Sequence, residues 1–215
     1  MKRIVIIANG PINDIDFYKK IIQKTDFIIC ADGGANTAKK IKIMPNIIIG
    51  DLDSIKPEVL KFYKSKTKII RDENQNKTDL ELAIKIAEEH QPEDIIIIGA
   101  TGGRIDHTLA NILSIVKINK KINTSIIDNH ASIKLIDKNS EILEKKDETI
   151  SIIPLTKIKN LEIKGLKWDV EKQDTNFGWF GISNKIRKEQ ANINFSEGKI
   201  LIIKVRDDFW LTIIN

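Results

Sequence analysis

The chain has 215 residues, which is enough for one large domain or two small ones with a buried core. Its 41% hydrophobic and 30% charged residues exclude a disordered protein and are typical of a globular one. The net charge of +5 comes from lysines scattered as pairs, so a basic stripe for nucleic acid is unsupported, whereas a polyphosphate ligand would suit a modest positive field.

The N-terminal sequence indicates where the protein works. MKRIVIIANGP contains an apolar run of only a few residues, which is too short for a signal peptide or a membrane span. The one cysteine, Cys30, lies in the apolar run FIIC, where we expect it to pack in the core rather than react. These features predict a cytoplasmic protein.

Residues 1–130 repeat one pattern, in which a short apolar run is followed by a break rich in Gly, Asn or Asp and then by a mixed segment. The runs are continuous rather than alternating, as in strands that are buried on both faces. They are IVIIA (4–8), FIICA (27–31), IIIG (47–50), TKII (67–70), DIIIIGA (94–100) and TSIID (124–128).

Two of the intervening segments have helical periodicity. In 79–90 the apolar residues of one face are Leu80, Ala83, Ile84 and Ala87. In 106–120 they are Leu109, Ile112, Leu113 and Val116. Alternation of strand and helix predicts an open parallel α/β sheet for residues 1–130.

After residue 130 the pattern changes to short strand-like segments that often alternate apolar with polar residues, with no further amphipathic helix. The segments include ETISIIP, LEIKGLKW, ILIIKV and, near the end, FWLTII. SEGK (196–199) has the composition of a hairpin turn. Residues 131–215 are therefore predicted to form an antiparallel β-sandwich or barrel-like domain.

Acids and glycines follow the predicted parallel strands. Because the carboxyl ends of parallel strands lie on one edge of the sheet, we expect these residues to border one cleft. The acids are Asp32, Asp51, Asp53, Asp79 and Asp106, and the glycines are Gly10, Gly33, Gly34, Gly102 and Gly103. Converging carboxylates suit a hard cation such as Mg²⁺, and glycine loops let backbone N–H groups approach a phosphate.

Each of these residues also has a simpler explanation. Asp51 and Asp53 are common helix-cap and turn residues, and Asp79 follows Thr78 at a helix start. The DGG and TGG stretches occur in plain turns, and a single histidine such as His107 often only caps or packs. The magnesium–nucleotide hypothesis depends on their shared position at the ends of successive strands.

The motifs ADGGAN, GDLDS, NKTDLELA and GATGGRIDHTLANI, in this order and spacing, resemble the thiamine pyrophosphokinase (thiamine diphosphokinase) family. GLKW (165–168), ISN (182–184) and INFSEGKILIIKVRD resemble that family's thiamine-binding β-domain. The resemblance implies Mg²⁺-dependent transfer of the pyrophosphoryl group of ATP to the hydroxyl of thiamine, giving thiamine diphosphate and AMP. It also implies a homodimer with thiamine sites at the subunit interface, an ATP/Mg-binding catalytic domain over 1–130 and a thiamine-binding domain over 131–215.

The resemblance implies roles for particular residues. Asp51, Asp53 and Asp79 would hold Mg²⁺, with Asp32 supporting them or contacting the nucleotide. Arg104 would stabilise charge on the transferred group, and Asp106 would bind or deprotonate the thiamine hydroxyl or act as a metal ligand. The remaining ATP-binding candidates are Asn9, Gly10, Gly33, Gly34, Gln75, Lys77, Thr78, His107 and Asn111.

The thiamine candidates in the second half are Trp168, Ser183 and Asn184. Trp168 would stack on the cationic substrate, unless it is a core aromatic of the β-domain. The family pattern gives no role to Trp179 or Trp210, and FGWFG (177–181) has two further aromatics between the motifs.

Three other functions remain open at this point. A different Mg²⁺-dependent enzyme, such as a phosphatase or a small-alcohol kinase, would release phosphate or ADP instead of AMP. A non-catalytic nucleotide or thiamine sensor would keep the glycines without needing every acid. A nucleic-acid-binding protein would show binding that weakens steeply with salt.

Overall fold

The computed structural model of this chain describes residues 2–72 and 76–206. The chain divides into two compact units, Met1–Asn129 and His130–Asn215. Within the described residues, no helix is long and apolar enough to cross a membrane.

The first unit is built on six parallel strands in the order β4-β3-β2-β1-β5-β6. The chain runs outward from β1 through β2, β3 and β4, and then returns to β5 on the other side of β1, so the switch point lies between β1 and β5. This arrangement confirms the predicted open parallel sheet. The strands are β1 (Arg3–Ile7), β2 (Phe27–Ala31), β3 (Ile47–Gly50), β4 (Lys68–Arg71), β5 (Asp94–Ile98) and β6 (Asn123–Ile127).

Helices connect these strands, and α4 shows why the local sequence is helical. The Thr78 hydroxyl accepts from the Glu81 backbone N–H while the Glu81 carboxylate accepts from the Thr78 backbone N–H, which forms a capping box. Its predicted apolar face is buried. The helices are α1 (Ile15–Ile21), α2 (Gly34–Lys40), α3 (Pro57–Tyr63), α4 (Asp79–Glu89) and α5 (Ile105–Ser114).

Helix α5 differs from the pattern expected of it. It ends at Ser114 and continues as a 3-10 turn over Ile115–Lys117. Two residues of its predicted apolar face are largely exposed, Leu109 by 58% and Leu113 by 42%, and Ile105 one turn earlier is exposed by 85%. Ile105, Leu109 and Leu113, which we call the α5 stripe, therefore form an apolar row that this unit leaves uncovered.

The core of the first unit lies on the strands and the helix faces packed against them, including Val5, Ile7, Ile48, Tyr18 and Tyr63. Cys30 belongs to the same cluster and is fully buried. Burial raises the pKa of its thiol above the ordinary value, so the thiol is inert. The core assignment of Cys30 is confirmed.

The second unit is an antiparallel sandwich, as predicted. One group of strands has the order β12-β9-β14-β7 and the other has the order β11-β10-β13-β8. Isoleucines from both groups, such as Ile152 and Ile200 on one side and Ile163 and Ile193 on the other, form one buried cluster. The strands are β7 (Ala131–Ile136), β8 (Ser140–Leu143), β9 (Thr149–Pro154), β10 (Ile158–Lys164), β11 (Val170–Thr175), β12 (Gly181–Lys185), β13 (Gln190–Asn194) and β14 (Ile200–Val205).

The prediction of a hairpin at 196–199 is wrong. The strands before and after this segment, β13 and β14, belong to different groups, so the segment crosses from one sheet to the other. It pairs instead with the start of β10, since Ser196 N donates to the Lys159 carbonyl and Lys159 N donates to the Glu197 carbonyl, both at 3.0 Å. The predicted final strand FWLTII, with Trp210, lies outside the described residues.

Candidate active site

A cleft of about 380 Å³ opens in the first unit, where the carboxyl ends of β1, β3 and β5 and the starts of α4 and α5 meet. It adjoins the switch point of the sheet, where ligands of such folds bind. The residues predicted from sequence that line it are Asn9, Gly10, Asp51, Lys77, Thr78, Asp79, Gly102, Gly103, Arg104, His107 and Asn111.

Glycine is required where the loops after β1 and β5 approach each other. Gly10 N donates to the Gly99 carbonyl at 2.6 Å, and a Cβ on Gly10 would lie 2.4 Å from that oxygen. A larger residue at position 10 would push the two sides of the cleft apart. Gly10 therefore shapes the cleft through backbone contact.

Gly33 and Gly34 lie at the start of α2 and are buried. A Cβ on Gly34 would lie 2.0 Å from the Ile7 carbonyl oxygen, so this glycine lets α2 pack against β1. A Cβ on Gly33 would lie 2.3 Å from the Asn9 side chain, which itself lines the cleft. Gln75 lies outside the described residues.

Three carboxylates converge at the ends of β2 and β3. Oxygens of Asp32, Asp51 and Asp53 lie within 4.8 Å of one another. Asp32 is only 2% exposed, and its Oδ1 has no hydrogen-bond partner among the described residues. Burial, reinforced by the charges of Asp51 and Asp53, raises the pKa of Asp32. Hydrogen bonds from the Gly33 backbone and the Ser54 side chain lower it, but by less.

Asp79, the first residue of α4, adjoins this cluster. Burial together with the charges of Asp32 and Asp51 raises the pKa of Asp79 to about 6. Gly50, with φ +146°, leaves room for Asp79 and Asp32 to approach each other. A Cβ at this position would lie 2.7 Å from Asp79 Oδ1 and 2.9 Å from Asp32 Cβ. An all-carboxylate set with one buried, unpartnered oxygen fits a hard divalent cation.

Asp106 is not part of that cluster and pairs with Arg104. The guanidinium donates to both carboxylate oxygens, Nε to Oδ1 at 3.1 Å and Nη2 to Oδ2 at 2.6 Å. This pairing lowers the pKa of Asp106 to about 2. Both side chains are exposed, and Arg104 lines the cleft whereas Asp106 is not among its lining residues.

His107 and Asn111 lie one turn apart on α5 and both line the cleft. The Asn111 amide donates to the Ala100 carbonyl at 2.9 Å, and the Thr108 hydroxyl lies 3.1 Å from the Gly102 carbonyl. These bonds hold the loop after β5 against the helix. Asn111 therefore orients the wall of the cleft on which the loop lies.

In the second unit, Trp168 is 56% exposed, so it is not a core aromatic. Its backbone is held by the buried Asn184, whose Oδ1 accepts from Trp168 N at 3.1 Å and whose Nδ2 donates to Trp168 O at 2.7 Å. The neighbouring Ser183 is exposed with φ +56°, and its N–H donates to the Ser151 hydroxyl. Trp179 packs against the sandwich core.

Comparison with known proteins identifies the family. Residues 18–127 match the family described as thiamin pyrophosphokinase, catalytic domain, and residues 135–200 match thiamin pyrophosphokinase, vitamin B1 binding domain. The chain belongs to the thiamine pyrophosphokinase family. A thiamine pyrophosphokinase of Bacillus subtilis is 31% identical over 214 residues, which cover 96% of this chain and 100% of the relative.

Solved structures of the family agree with the fold. The crystal structure of the thiamine pyrophosphokinase from Bacillus subtilis has a TM-score of 0.86 and 30% identity, covering 96% of this chain and 100% of its own. That of the thiamin pyrophosphokinase from Geobacillus thermodenitrificans has a TM-score of 0.83 and 25% identity, covering 95% and 98%. The family resemblance inferred from the motifs is thus confirmed.

Two residues of this family member were missed by sequence reasoning. Gly50 ends an apolar run, and the sequence alone does not show that Asp79 and Asp32, 29 and 18 residues away, approach it closely. Asn36 belongs to the motif ADGGAN, which by itself indicates no role for its side chain. Its partners lie 18 and 20 residues away, where no local pattern indicates them.

Proposed function

We propose that this chain transfers the pyrophosphoryl group of ATP to the hydroxyl of thiamine, producing thiamine diphosphate and AMP. The observation that carries the proposal is the convergence of Asp32, Asp51 and Asp53, beside Asp79, at the sheet edge bordering a loop-lined cleft. Family membership supplies the substrate class, and the acids supply a reason for these residues to meet.

The proposed metal ligands are Asp51, Asp53 and Asp79, with Asp32 at the buried side of the same cluster. The unpartnered Oδ1 of Asp32 and the raised pKa of Asp79 both indicate carboxylates without a compensating positive charge in the part of the chain that the structure describes. Mg²⁺ is the proposed cation; when bound, it would neutralise charge on the phosphate oxygens.

The ATP site is proposed to be the cleft of the first unit. Lys77 and Arg104 offer positive charge at its lining, and Thr78 offers a hydroxyl. Gly10 with Asn9 forms one wall, and His107 with Asn111 forms another. Gly33, Gly34 and Gln75 remain proposed nucleotide contacts. Positioning and charge neutralisation are the main requirements of phosphoryl-type transfer, and this lining provides both.

For thiamine, the proposed residues are Asp106, Trp168, Ser183 and Asn184. The ring of Trp168 is exposed and already has one cation over it, the Lys167 ammonium at 4.8 Å from its centroid, and we propose that a cationic heterocycle stacks on the same ring. Both polar groups of the Asn184 amide bind the Trp168 backbone, so Asn184 acts by fixing that tryptophan. With a pKa of about 2, Asp106 is a weak base, which favours binding of the thiamine hydroxyl over its deprotonation.

We also propose a homodimer with thiamine sites at the subunit interface. The α5 stripe supports it, because three apolar side chains exposed on the helix that carries His107 and Asn111 would gain from being covered. Leu109→Lys should shift the protein from dimer to monomer in size-exclusion chromatography with light scattering. Met44→Lys, a change at an exposed apolar residue before β3, should leave the dimer intact. A wild-type monomer at micromolar concentration would contradict the proposal.

The deciding experiment incubates purified protein with ATP, Mg²⁺ and thiamine and separates the nucleotides by chromatography. AMP formed in equal amount with thiamine diphosphate, and abolished by a chelator, is the expected result. ADP would indicate a simple kinase and free phosphate a hydrolase. Binding of ATP or thiamine without turnover would indicate a sensor.

A further inference from the structure

The side chain of Asn36, on α2, binds the backbone directly after the acidic residues Asp51 and Asp53. Its Nδ2 donates to the Ser54 carbonyl at 2.8 Å, and its Oδ1 accepts from Lys56 N at 3.0 Å. Both polar groups of the Asn36 amide, the donor and the acceptor, therefore bind the backbone of one short segment. We refer to Asp51–Lys56 as the acidic loop.

The same helix fixes Asp32. Ala35 N donates to the Asp32 carbonyl and Asn36 N donates to the Gly33 carbonyl, both at 3.0 Å, so Asp32 and Asn36 belong to one continuous turn. Gly34, Ala35 and Ala38 bury that turn against the unit. A link from Asn36 to the acidic loop therefore also sets the position of Asp51 and Asp53 relative to Asp32.

The acidic loop needs such a restraint, because its carboxylates are repelled by the nearby carboxylate of Asp32. Three carboxylates within 4.8 Å repel one another, and the repulsion favours movement of the loop away from Asp32. Two other bonds in this region run within the loop itself, from Asp53 N to Asp51 Oδ1 and from the Ser54 hydroxyl to Asp53 Oδ1. The Ser54 side chain also bonds to Asp32 and the Asp51 backbone to Asp79, but both partners are carboxylates of the same repelling group. Asn36, in contrast, joins the loop to α2 through a neutral side chain.

We propose that Asn36 is a positioning residue that holds the acidic loop against Asp32 and so sets the affinity of the cluster for a divalent cation. This inference rests on the metal site of the proposed function. An asparagine suits the task because its amide satisfies a carbonyl and an N–H without adding a charge beside three carboxylates. An aspartate would keep the acceptor for Lys56 N, lose the donor for Ser54 O and add a fourth negative charge.

The test measures cation binding without turnover. Thermal unfolding is recorded against Mg²⁺ concentration, and Mn²⁺ binding is followed by electron paramagnetic resonance, for wild type, Asn36→Ala and Asn36→Asp. Asn36→Ala should need about tenfold more cation for half-saturation, since preorganisation of the ligands is lost. Asn36→Asp, which keeps the side-chain size if the alanine variant does not fold, should also bind the cation more weakly despite its extra carboxylate.

Asn46→Ala is the matched control. Asn46 Oδ1 accepts from Ile28 N at 2.8 Å, so it too joins two distant segments, but it precedes β3 at the opposite end of the strand from the acids. This variant should lose stability with an unchanged cation midpoint. In turnover assays, Asn36→Ala should raise the Mg²⁺ requirement and leave the KM for thiamine unchanged.

The outcomes separate the two claims. An Asn36→Ala midpoint equal to that of wild type, or an equal shift in Asn46→Ala, would overturn the positioning role while leaving the metal site in place. Absence of cation binding in the wild type would overturn the metal assignment and, with it, this role of Asn36.

Discussion

The acidic loop of the first unit and the Trp168 segment of the second are each held by one asparagine amide that binds backbone through both its polar groups. The segments that the two asparagines hold in place differ in character. Asn36 is partly exposed and holds a loop whose charges repel, whereas Asn184 is buried and holds an exposed aromatic ring. Among the described residues, no positively charged side chain is paired with the carboxylates of the first region, and the proposed cation would supply that charge, whereas Asn184 already satisfies the Trp168 backbone in the second. Removing a carboxylate should therefore impair the first region and not the second, and removing the aromatic ring should impair the second and not the first.

The largest expected effect follows from removing a charge from the acidic loop. Asp51→Asn should lower Mg²⁺-dependent AMP formation by at least about 100-fold, because a proposed metal ligand is lost, and should leave thiamine binding close to wild type. Turnover and calorimetric thiamine binding measure the two effects. Asp16→Asn, a change of an exposed acid on α1, serves as the control. Near-normal activity of Asp51→Asn would refute the metal assignment.

Changes in the Trp168 segment should alter the KM for thiamine and leave the Mg²⁺ requirement unchanged. Trp168→Ala should raise the KM for thiamine about tenfold, the size of a cation–π contact, with an unchanged Mg²⁺ requirement. Trp168→Phe should retain part of the affinity. Steady-state kinetics in thiamine and in Mg²⁺ check both statements, and a change confined to the Mg²⁺ requirement would contradict the proposed contact.

Asn184→Ala tests whether this asparagine acts through the tryptophan. It leaves Trp168 N and O without their partner, so unfolding should cost about 1–3 kcal/mol less and the KM for thiamine should rise. In the Trp168→Ala background the same change should affect stability but add little to the KM. Additive effects on the KM would instead indicate that Asn184 contacts thiamine independently.

Where the structure depends on local chemistry, the sequence predicts it well. β2 and β3 have the predicted bounds because continuous isoleucine-rich runs have no alternative but a buried strand. α4 begins as predicted at Asp79, after the capping residue Thr78. Four of the five acids predicted at the strand ends lie side by side, because parallel strands all present their carboxyl ends at one edge, whereas Asp106 pairs with Arg104 and does not line the cleft.

The features that the sequence does not predict depend on contacts between residues far apart in the chain. The composition of 196–199 suits a hairpin and a crossover equally, and only pairing with Lys159 decides between them. The α5 stripe has the periodicity of a buried face, which no local pattern distinguishes from a face left for another surface. The roles of Asn36 and Gly50 depend on contacts with segments 18 to 29 residues away.

The smallest effect concerns stability and pH in the first region. The pKa of Asp79 is raised to about 6 in the folded chain, above its ordinary value of 3.8, so the folded state holds the proton more tightly than the unfolded state does. Asp79 therefore favours folding below pH 4, and this contribution is lost as pH rises through 6. Without divalent cation, Asp79→Asn should accordingly be more stable than wild type at pH 7 by about 1 kcal/mol, after allowance for solvent screening and for the lost charge at the start of α4.

Thermal unfolding in a chelator between pH 4 and pH 8 measures this difference. The gap between Asp79→Asn and wild type should open as pH rises through 6 and close again when Mg²⁺ is added, because a bound cation favours the ionised carboxylate. Trp168→Ala in the second region should show neither dependence. A wild type more stable than Asp79→Asn at pH 7 in chelator would mean that the carboxylates of the first region are already compensated within the chain, and the contrast between the two regions would fail.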